Sequence, residues 1–273
     1  MSESNDTGAW PGEGLADALA GNISALFGSA VLDSCPTAGG VSDFADRLHA
    51  LIAQSLTTAR GAATQDAGLE PVLDTPVHCA AVEAVTAASL RFPASWVVRG
   101  RTVPLKVVSN GKPRGGSYFP PASTPRFDGL GTKPAGEGWA LVSRDPGNAL
   151  HEYVHHLQAV MPDVDRLFQE LHRRRTARPD GTRDPVTRFG RHDSTGRKGR
   201  YVDEYFGREY DRTLLQDLGY DPNFPALEVM PRAFQLLFHK LPGKDGIDLH
   251  HLASDDPEML DLMLGLLFHY DPA

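Results

Sequence analysis

Residues 148 to 160 read NALHEYVHHLQAV and bring His151, Glu152 and His155 within five positions of the chain. At about 100° per residue, helical positions i and i+4 differ by only about 40° and lie one turn apart on one face. Two imidazoles in that arrangement can reach one zinc ion at about 2.0–2.1 Å. Glu152 can take a proton from a metal-bound water without binding the metal itself. The segment therefore predicts a metal site with His151 and His155 as ligands and Glu152 as the catalytic base.

The surrounding residues predict a buried helix that would hold this site in place. Asp145 suits the N-cap, and Pro146 suits the first helical position, where no N–H is needed. An apolar stripe with the spacing i, i+4 and i+7 follows, formed by Leu150, Val154 and Leu157. His156 is rotated by about 100° from His155, so we do not expect it to be a ligand.

A catalytic zinc ion normally has three protein ligands and a water, so one more ligand must come from elsewhere in the chain. The sequence directly after the histidines, LQAVMP, offers no further histidine. The chain has only two cysteines, Cys35 and Cys79, which excludes a site built from cysteine. The candidates that follow in the sequence are Asp203, Glu204, Glu209 and Glu228.

Among these candidates we favour Glu228, with Glu204 as the first reserve. Glu228 opens a strongly apolar helical pattern, and the first turn of a buried helix is a rigid platform for a ligand. The helix dipole also favours a carboxylate at that end. Pro231 is compatible with a helix that begins near Leu227. The alternative role for Glu228 is an i, i+4 ion pair with Arg232.

The composition is that of an ordinary globular protein. The 273 residues are 41% hydrophobic and 23% charged, and the net charge of -8 argues against a general nucleic-acid binder. The N-terminus shows no basic stretch followed by an apolar one, so no secretory signal is predicted. No apolar run approaches the roughly 20 residues that a membrane helix requires. We therefore expect a cytoplasmic protein without a membrane partner.

The first third of the chain is predicted to be helical. Residues 1–14 are small and polar and predict a flexible tail. Residues 15–92 predict a helical N-terminal region, because apolar residues recur there at helical spacing. The three helical patterns are LADALAGNISALFG, VSDFADRLHALIAQSL and PVHCAAVEAVTAASLRF.

From Pro93 onward the pattern changes to short β-branched or aromatic runs, which predict a small sheet. The predicted strands are SWVVRG, VPLKVV, GGSYF and GWALVS. GKPRGGS lacks the spacing of a phosphate-binding loop and predicts a hairpin turn. Helices are predicted again for DVDRLFQELHRRR, PALEVMPRAFQLLFHKL and PEMLDLMLGLLFHY.

A basic segment, residues 173–200, contains ten lysines and arginines but only three aspartates. From about 176 to 200 it has no apolar face to bury, so we expect a mobile loop that added protease cleaves first. A solvated loop explains the charge, and so does an acidic partner: nucleic acid, an acidic peptide, or an acidic face of the protein itself. The scarcity of aromatic residues argues against stacking on nucleic-acid bases.

The chain resembles the zincin metallopeptidases, and within them the gluzincins, whose third zinc ligand is a glutamate. ALHEYVHHLQ looks like their active-site helix, and LEVMPRAFQLLF is similar to their glutamate helix. The resemblance implies an α+β, zincin-like fold in residues 93–273, with a small mixed β-sheet over the HExxH helix. The helical N-terminal region would precede this domain, and C-terminal helices would close it. A weaker likeness, over residues of about 115 to 238, links the chain to zincin-like domains of bacteriophage minor head proteins.

By this resemblance the protein would be a zinc metallopeptidase acting on a peptide or protein substrate. Glu152 would be the general base toward the attacking water and then the proton donor to the leaving amine. The substrate would bind as an extra strand on the sheet edge near GGSYF. Zincins often add a side chain that stabilises the oxyanion, and the candidates here are Tyr201, Tyr205, Tyr210 and His192.

Two other functions stay open at the level of the sequence. The chain could be a structural or weakly active zincin-like protein associated with phage or other large assemblies. It could also be a zinc hydrolase that acts on a non-peptide amide. Substrate choice depends on loops and on the shape of the pocket, which the motif does not specify.

Overall fold

A computed structural model describes residues 52–58, 60, 69–71, 76–113, 115–121, 126–128, 131–133, 135–188, 195–197, 199–210, 227–239 and 249–272. Residues 52–58 are helical, in agreement with the second predicted helical pattern. The predicted tail and the rest of the first two patterns lie outside the described residues.

The fold is mixed α+β, as predicted, and its largest sheet has four strands. The strands are β1 (Glu70–Pro71), β2 (Leu105–Ser109), β3 (Ser117–Phe119) and β6 (Gly138–Val142). Their order across the sheet is β1-β2-β6-β3. β1, β2 and β6 are parallel, whereas β3 runs antiparallel to β6. β3 is therefore an edge strand, and no other described strand pairs with its outer side.

Two further sheets are small. β4 (Arg126–Asp128) and β5 (Gly131–Lys133) form an antiparallel pair that the sequence pattern did not predict. β7 (Thr187–Arg188), β8 (Thr195–Gly196) and β9 (Arg208–Glu209) form an antiparallel sheet in the order β7-β8-β9. This last sheet connects the basic segment to the region of the predicted third ligand.

Beyond residues 52–58, the described part of the chain forms the helices α1 (Pro76–Ser89), α2 (Ala94–Gly100), α3 (Pro146–Val160), α4 (Pro162–Arg175), α5 (Val229–Phe238), α6 (Leu249–Asp255) and α7 (Pro257–His269). A short 3₁₀ helix spans Glu204–Gly207. The helices predicted for the third N-terminal pattern, for the histidine segment and for the three later patterns are confirmed, whereas α6 was not predicted.

Two predictions for the sheet region are wrong. SWVVRG forms the helix α2 and not a strand, because Trp96 and Val97 are both buried there and tertiary packing overrides the β propensity. The indole N–H of Trp96 donates to the carbonyl of Tyr270, which fixes this short helix to the end of the chain. GKPRGGS is not a hairpin turn between β2 and β3, because β6 lies between those two strands.

Helix α3 lies at the centre of the described part of the fold. It packs against α1, α5 and β6, and its apolar residues Leu150, Val154 and Leu157 are at most 2% exposed. Asp145 caps the helix by accepting a hydrogen bond from the Gly147 N–H, and Pro146 occupies the first helical position. The cap and the buried stripe are as predicted, and they fix the rotation of the histidines.

One hydrophobic cluster joins the described elements on both sides of Pro93. It includes Ile52 and Leu56, side chains of α1, the strands β2 and β6, and the later helices. α1 packs directly on α3 and β2. The described residues of the predicted N-terminal region, 15–92, therefore pack into the same hydrophobic core as those of the predicted domain, 93–273.

The basic segment contains more regular structure than the sequence predicted. Ala177 and Arg183 form a β-bridge, and β7 and β8 lie further along the segment. The arginines of the segment form ion pairs with Glu170, Asp184, Glu209, Asp256 and Glu258. Acidic groups of the protein itself therefore compensate much of this charge, which was one of the alternatives considered. The mobility of the segment and its early cleavage by protease stay predictions.

None of the described helices combines the length and the apolar character needed to cross a lipid bilayer.

Candidate metal centre

Three side chains from two packed helices converge on one point beneath the sheet edge. α3 presents His151 and His155 one turn apart, and Glu228 is the residue before α5. α3 and α5 pack closely along their lengths. His151 is 7% exposed, His155 is 6% exposed and Glu228 is fully buried. The candidate ligand atoms of the three residues lie within 4.8 Å of one another, close enough to hold a metal ion.

The distances within this cluster are compatible with three ligands of one metal ion. The Nε2 atoms of His151 and His155 lie 2.9 Å and 3.4 Å from Oε2 of Glu228. In spite of this proximity, Glu228 Oε2 is buried without a hydrogen-bond partner. A buried carboxylate oxygen without a donor is costly, and a cation at the point where the three atoms meet would satisfy it.

Charge interactions keep Glu228 ionised inside the protein. Burial by itself raises the pKa of Glu228, but the nearby His155 and His151 outweigh this and hold the pKa well below its ordinary value. For His155, burial lowers the pKa, but the charge and hydrogen bond of Glu228, the charge of Glu152 and the hydrogen bond to Gln158 together raise it by more, so the net shift is upward. A carboxylate that is ionised at neutral pH is the form that binds metals.

Neighbouring backbone and side chains position Glu228. Its backbone N–H donates to the carbonyl of Arg208, and the hydroxyl of Tyr210 donates to its Oε1. Oε2 is thereby left to face the histidines. Arg232, the alternative ion-pair partner, binds Asp203 at 2.6 Å instead. The helix begins at Val229, near the expected start at Leu227, so that Glu228 occupies the N-cap and Pro231 lies in the first turn.

Gln158 fixes the tautomer of His155. The amide N–H₂ group of Gln158 donates to Asp165 and to the carbonyl of Leu227, so that its oxygen must accept from Nδ1 of His155 at 2.8 Å. His155 therefore carries its proton on Nδ1 and offers the lone pair of Nε2 to the cluster. Through Leu227, the same side chain also fixes the residue before Glu228.

Glu152 lies beside the cluster with one oxygen held and the other free. Its carboxylate is buried, and Asn148 Nδ2 donates to Oε1 at 2.9 Å. The orientation of Asn148 is determined because its Oδ1 accepts from the Ser143 N–H at 2.7 Å. Burial raises the pKa of Glu152 above its ordinary value, although the two histidines oppose the shift. A carboxylate with a raised pKa is a stronger base than an ordinary one.

The edge strand approaches Glu152 so closely that only glycine fits there. A Cβ atom on Gly116 would lie 2.6 Å from Oε1 of Glu152 and 2.5 Å from Nδ2 of Asn148. Both partners are themselves held by hydrogen bonds, so neither can move freely. The glycine therefore allows the strand β3 to pass directly over the carboxylate.

His156 has a different environment from the other two histidines, as expected. Its Nε2 donates to the carbonyl of Gly100 at 2.9 Å, so Nδ1 accepts from the Tyr118 hydroxyl at 3.2 Å. Burial lowers the pKa of His156 to about 4, and the ring is neutral at physiological pH. It connects α3 to the end of α2 and to the edge strand.

The remaining ligand candidates do not reach the cluster. Glu204, the first reserve, lies exposed in the 3₁₀ helix. Asp203 accepts from the Tyr205 N–H and binds Arg232. Glu209 binds His172 Nε2 at 2.6 Å and is also paired with two arginines. Of the four candidates, the structure brings only Glu228 to the histidines.

The cluster opens into a cleft of about 740 Å³. One side of the cleft is formed by the edge-strand segment from Gly115 to Phe119, and its floor by His151, Glu152 and His155. The other side chains that line it are Asp145, Asn148, Tyr205, Arg208, Tyr210, Arg232 and Gln235. The predicted metal site and the predicted substrate edge therefore share one cleft.

Two of the four candidates for oxyanion stabilisation lie in this cleft. Tyr205 and Tyr210 line it, and the ring of Tyr205 packs against His151 at 6.1 Å between centroids. Tyr201 lies elsewhere, where its hydroxyl donates to Nδ1 of His172 at 2.7 Å. His192 is outside the described residues.

Several residues that support the site were not predicted from the sequence. Asn148 lies four positions before Glu152, and Gln158 lies three positions after His155, on the same helix. Residues at these spacings are neighbours on a helix surface, so both supporting residues could have been found from the sequence. The roles of Gly116 and Arg208 come from strands that are distant in sequence, and no local pattern indicates them.

Comparison with protein families, with curated proteins and with solved structures found no match to this chain. The residues of the site itself therefore carry the information about function.

Proposed function

We propose that the protein is a zinc-dependent peptidase. The observation that supports it most is the convergence of His151, His155 and Glu228 on one point, with Glu152 held beside them. For zinc bonds of about 2.0–2.1 Å in a tetrahedral site, neighbouring ligand atoms should be about 3.3 Å apart. The distances of 2.9 Å and 3.4 Å from Glu228 Oε2 to the imidazole nitrogens agree with this value. Two imidazoles and a carboxylate, without cysteine, are a donor set typical of catalytic zinc.

Zinc, when bound, supplies a Lewis acid that lowers the pKa of water and polarises a carbonyl group. Glu152 is placed to act on that water as general base. Since Asn148 holds Oε1, Oε2 is the oxygen that is free to accept the proton. The protonated Glu152 then delivers the proton to the nitrogen of the leaving amine.

Tyr205 is the side chain best suited to stabilise the oxyanion. Its oxygen accepts a hydrogen bond from Arg208 Nη1 at 2.9 Å, which leaves its own O–H to donate into the cleft. Burial raises the pKa of Tyr205, so the hydroxyl keeps its proton at neutral pH. Tyr210 is not available for this role, because its hydroxyl is bound to Glu228.

The edge strand supports a peptide as the substrate. β3 lines the cleft, and no described strand occupies its outer side. An extended peptide can add to such an edge through main-chain hydrogen bonds, with its side chains alternating toward and away from the cleft. A peptide bond bound in this way would lie above the metal ligands and Glu152.

The metal is tested by elemental analysis of purified variants after mild dialysis against a chelator. Wild-type protein should retain one zinc per chain, and His151→Ala, His155→Ala and Glu228→Ala should each lose it, because a three-ligand site does not tolerate the loss of one ligand. Glu204→Ala is the matched control and should retain the metal. Wild-type protein that binds no divalent metal would refute the proposal.

The chemistry is tested with Glu152→Gln on a broad peptide library. This variant keeps the hydrogen bond from Asn148 but removes the base, so it should bind zinc at the wild-type level and lose hydrolysis. Full zinc content in the wild type without turnover of any peptide would contradict the peptidase function. That result would favour a structural zincin-like role, or an enzyme for a non-peptide amide.

A further inference from the structure

Two arginines line the cleft beside Tyr205, and they differ in how their charges are compensated. The guanidinium carbon of Arg208 lies 5.1 Å from the Tyr205 ring centroid, and that of Arg232 lies 5.4 Å from it. Arg232 forms an ion pair with Asp203 at 2.6 Å. Arg208 has no carboxylate within ion-pair distance among the residues that the structure describes. Its side chain makes one hydrogen bond there, to the neutral hydroxyl of Tyr205.

The surroundings of Arg208 hold its guanidinium group in place without neutralising it. The group packs against the rings of Tyr205 and Tyr210, at 5.1 Å and 5.5 Å from their centroids. Its Nε atom is buried and has no hydrogen-bond partner. Cation–π contacts stabilise such a group by only about 0.5–2 kcal/mol. The charge of Glu228 also acts on Arg208, but from beyond ion-pair distance, and Oε2 of Glu228 faces the two histidines. A partly buried arginine without a counter-ion is suited to an anion that arrives from outside.

Arg208 is also close to the reacting centre. Tyr205, on one face of the guanidinium, packs against His151, and Tyr210, on which it also packs, binds Glu228. One side chain therefore separates Arg208 from each of two metal ligands. Arg208, His151 and Glu152 line the same cleft, so a substrate whose amide lies at the candidate ligands can extend to Arg208.

We propose that Arg208 binds a carboxylate of the substrate near the bond that is cleaved. The planar fork of arginine matches a carboxylate with two parallel hydrogen bonds, which a neutral amide cannot reproduce. The carboxylate has two sources: the free C-terminus of a peptide or the side chain of an aspartate or glutamate. This inference rests on the proposed zinc peptidase function and names the substrate class of that same cleft.

The first test measures the binding of two small hydroxamates to the zinc-loaded protein. One is the monohydroxamate of succinic acid, and the other is the same compound with its carboxylate replaced by a primary amide. The hydroxamate group binds zinc in both, so only the second group reports on Arg208. Wild-type protein should bind the carboxylate compound at least about tenfold more tightly, because hydrogen bonds to charged groups are stronger than neutral ones. The preference should weaken as salt is added.

Variants assign this preference to one residue. Arg208→Gln should bind both compounds with the affinity of the amide, and Arg208→Lys should keep a reduced preference, because it keeps the charge but not the fork. Arg232→Gln is the matched control, since it removes the other arginine of the cleft, and it should keep the wild-type preference. Zinc content and thermal midpoint are measured for each variant, so that loss of the site is distinguished from loss of recognition.

The outcomes separate this inference from the function on which it rests. Equal binding of the two hydroxamates by wild-type protein would overturn the role of Arg208 and leave the zinc function standing. A preference that survives in Arg208→Gln but disappears in Arg232→Gln would overturn it as well. Failure of both hydroxamates to bind the zinc-loaded wild type would contradict the proposed function instead.

The two sources of the carboxylate are distinguished with zinc-loaded Glu152→Gln, which binds peptides without cleaving them. Tighter binding of N-acetyl-Ala-Ala than of its C-terminal amide would assign a free C-terminus. Tighter binding of N-acetyl-Ala-Asp-amide than of N-acetyl-Ala-Asn-amide would assign an acidic side chain. Absence of both preferences would overturn the proposal.

Discussion

Two of the three candidate ligands, His155 and Glu228, have a neighbour that fixes the direction of the atom facing the cluster. Gln158 Oε1 accepts a hydrogen bond from Nδ1–H of His155, and the hydroxyl of Tyr210 donates to Oε1 of Glu228. Such supporting residues contribute strongly to metal affinity, because a ligand that must first reorient loses part of its binding free energy. At the scale of single residues, the structure therefore predicts effects of side chains that do not touch the metal.

Gln158→Met should weaken zinc binding by about 10–100-fold, because methionine keeps the volume but cannot accept the proton of His155 Nδ1. The affinity is measured by competition with a chelating indicator. Gln235→Met is the matched control: Gln235 is also buried and donates to the carbonyl of Gly147 at 2.9 Å, but it touches no ligand. Equal zinc affinity of the two variants would show that Gln158 does not orient His155.

Removal of the hydroxyl group should have different effects at the two tyrosines of the cleft, on kcat for Tyr205 and on zinc affinity for Tyr210. Tyr205→Phe should keep its zinc and lower kcat by about 10²–10³-fold, the usual effect of losing an oxyanion donor. Tyr210→Phe should instead lower zinc affinity, since Glu228 loses the donor to Oε1. Steady-state kinetics and zinc titration of both variants check this assignment. An unchanged kcat in Tyr205→Phe would remove Tyr205 from the mechanism.

At the scale of elements, the site depends on a connection between α4 and the short strand β9. His172 on α4 binds Glu209 on β9, and β9 pairs with Leu227 directly before Glu228. Burial raises the pKa of Glu209, but the hydrogen bond from His172 and the charges of Arg197 and Arg183 lower it by more, so that it lies below the ordinary value of 4.5. Ionised Glu209 therefore contributes its full stabilisation to the native state at pH values above 4.5. This contribution is lost as the pH falls through the lower pKa that Glu209 has in the native state.

Glu209→Gln should reduce the free energy of unfolding at pH 7 by about 1–3 kcal/mol, because a hydrogen-bonded buried charge is removed. Below pH 4.5 the variant should lose stability less steeply than the wild type, since it has no proton to gain at this position. Urea unfolding at pH 7, 5 and 3.5 measures both effects. Glu170→Gln removes an exposed ion pair with Arg173 on the same helix and should change stability by no more than about 1 kcal/mol. Parallel pH profiles of wild type and Glu209→Gln would contradict this role.

At the scale of the molecule, one aromatic cluster joins the helix before Pro93 to the helices of the site. The ring of Phe92 packs against Trp96, Tyr153, Phe234 and Phe238, with centroids 5.3–5.9 Å apart. Phe92 follows α1, Trp96 lies in α2, Tyr153 lies in α3, and Phe234 and Phe238 lie in α5. Because α3 and the start of α5 also position the candidate metal ligands, we expect the core and the candidate site to unfold together.

Phe92→Leu should destabilise the whole described fold by about 1–3 kcal/mol and preserve a single transition. Tryptophan fluorescence and far-ultraviolet circular dichroism should report the same midpoint. Zinc should raise that midpoint in wild type and variant, since a ligand of the native state adds RT ln(1 + [L]/Kd) to its stability. Leu90→Ala, an exposed neighbour, should change stability by no more than about 0.5 kcal/mol. Two separate transitions would support the predicted division of the chain at Pro93.

The sequence by itself determined the helix α3, its cap, and the face on which His151, Glu152 and His155 lie. These features are local, since helical geometry relates residues four positions apart and a proline-containing cap marks the start of the helix. The strands β2, β3 and β6 were also predictable, because each is a short apolar run bounded by Gly, Pro or polar residues.

Only the tertiary structure decided which distant residues complete the site. Glu228 lies 73 positions after His155. Its apolar helical pattern favoured it over Glu204 and Glu209, but only the packing of α5 against α3 and the pairing of β9 with Leu227 bring it to the histidines. The same holds for α2, where burial of Trp96 outweighed a strand-like composition, and for Arg208, whose missing counter-ion is visible only in space. Local propensity changes the free energy of a residue by less than about 1 kcal/mol, whereas burial of one large side chain contributes about 1.5–3 kcal/mol, so long-range packing decides such cases.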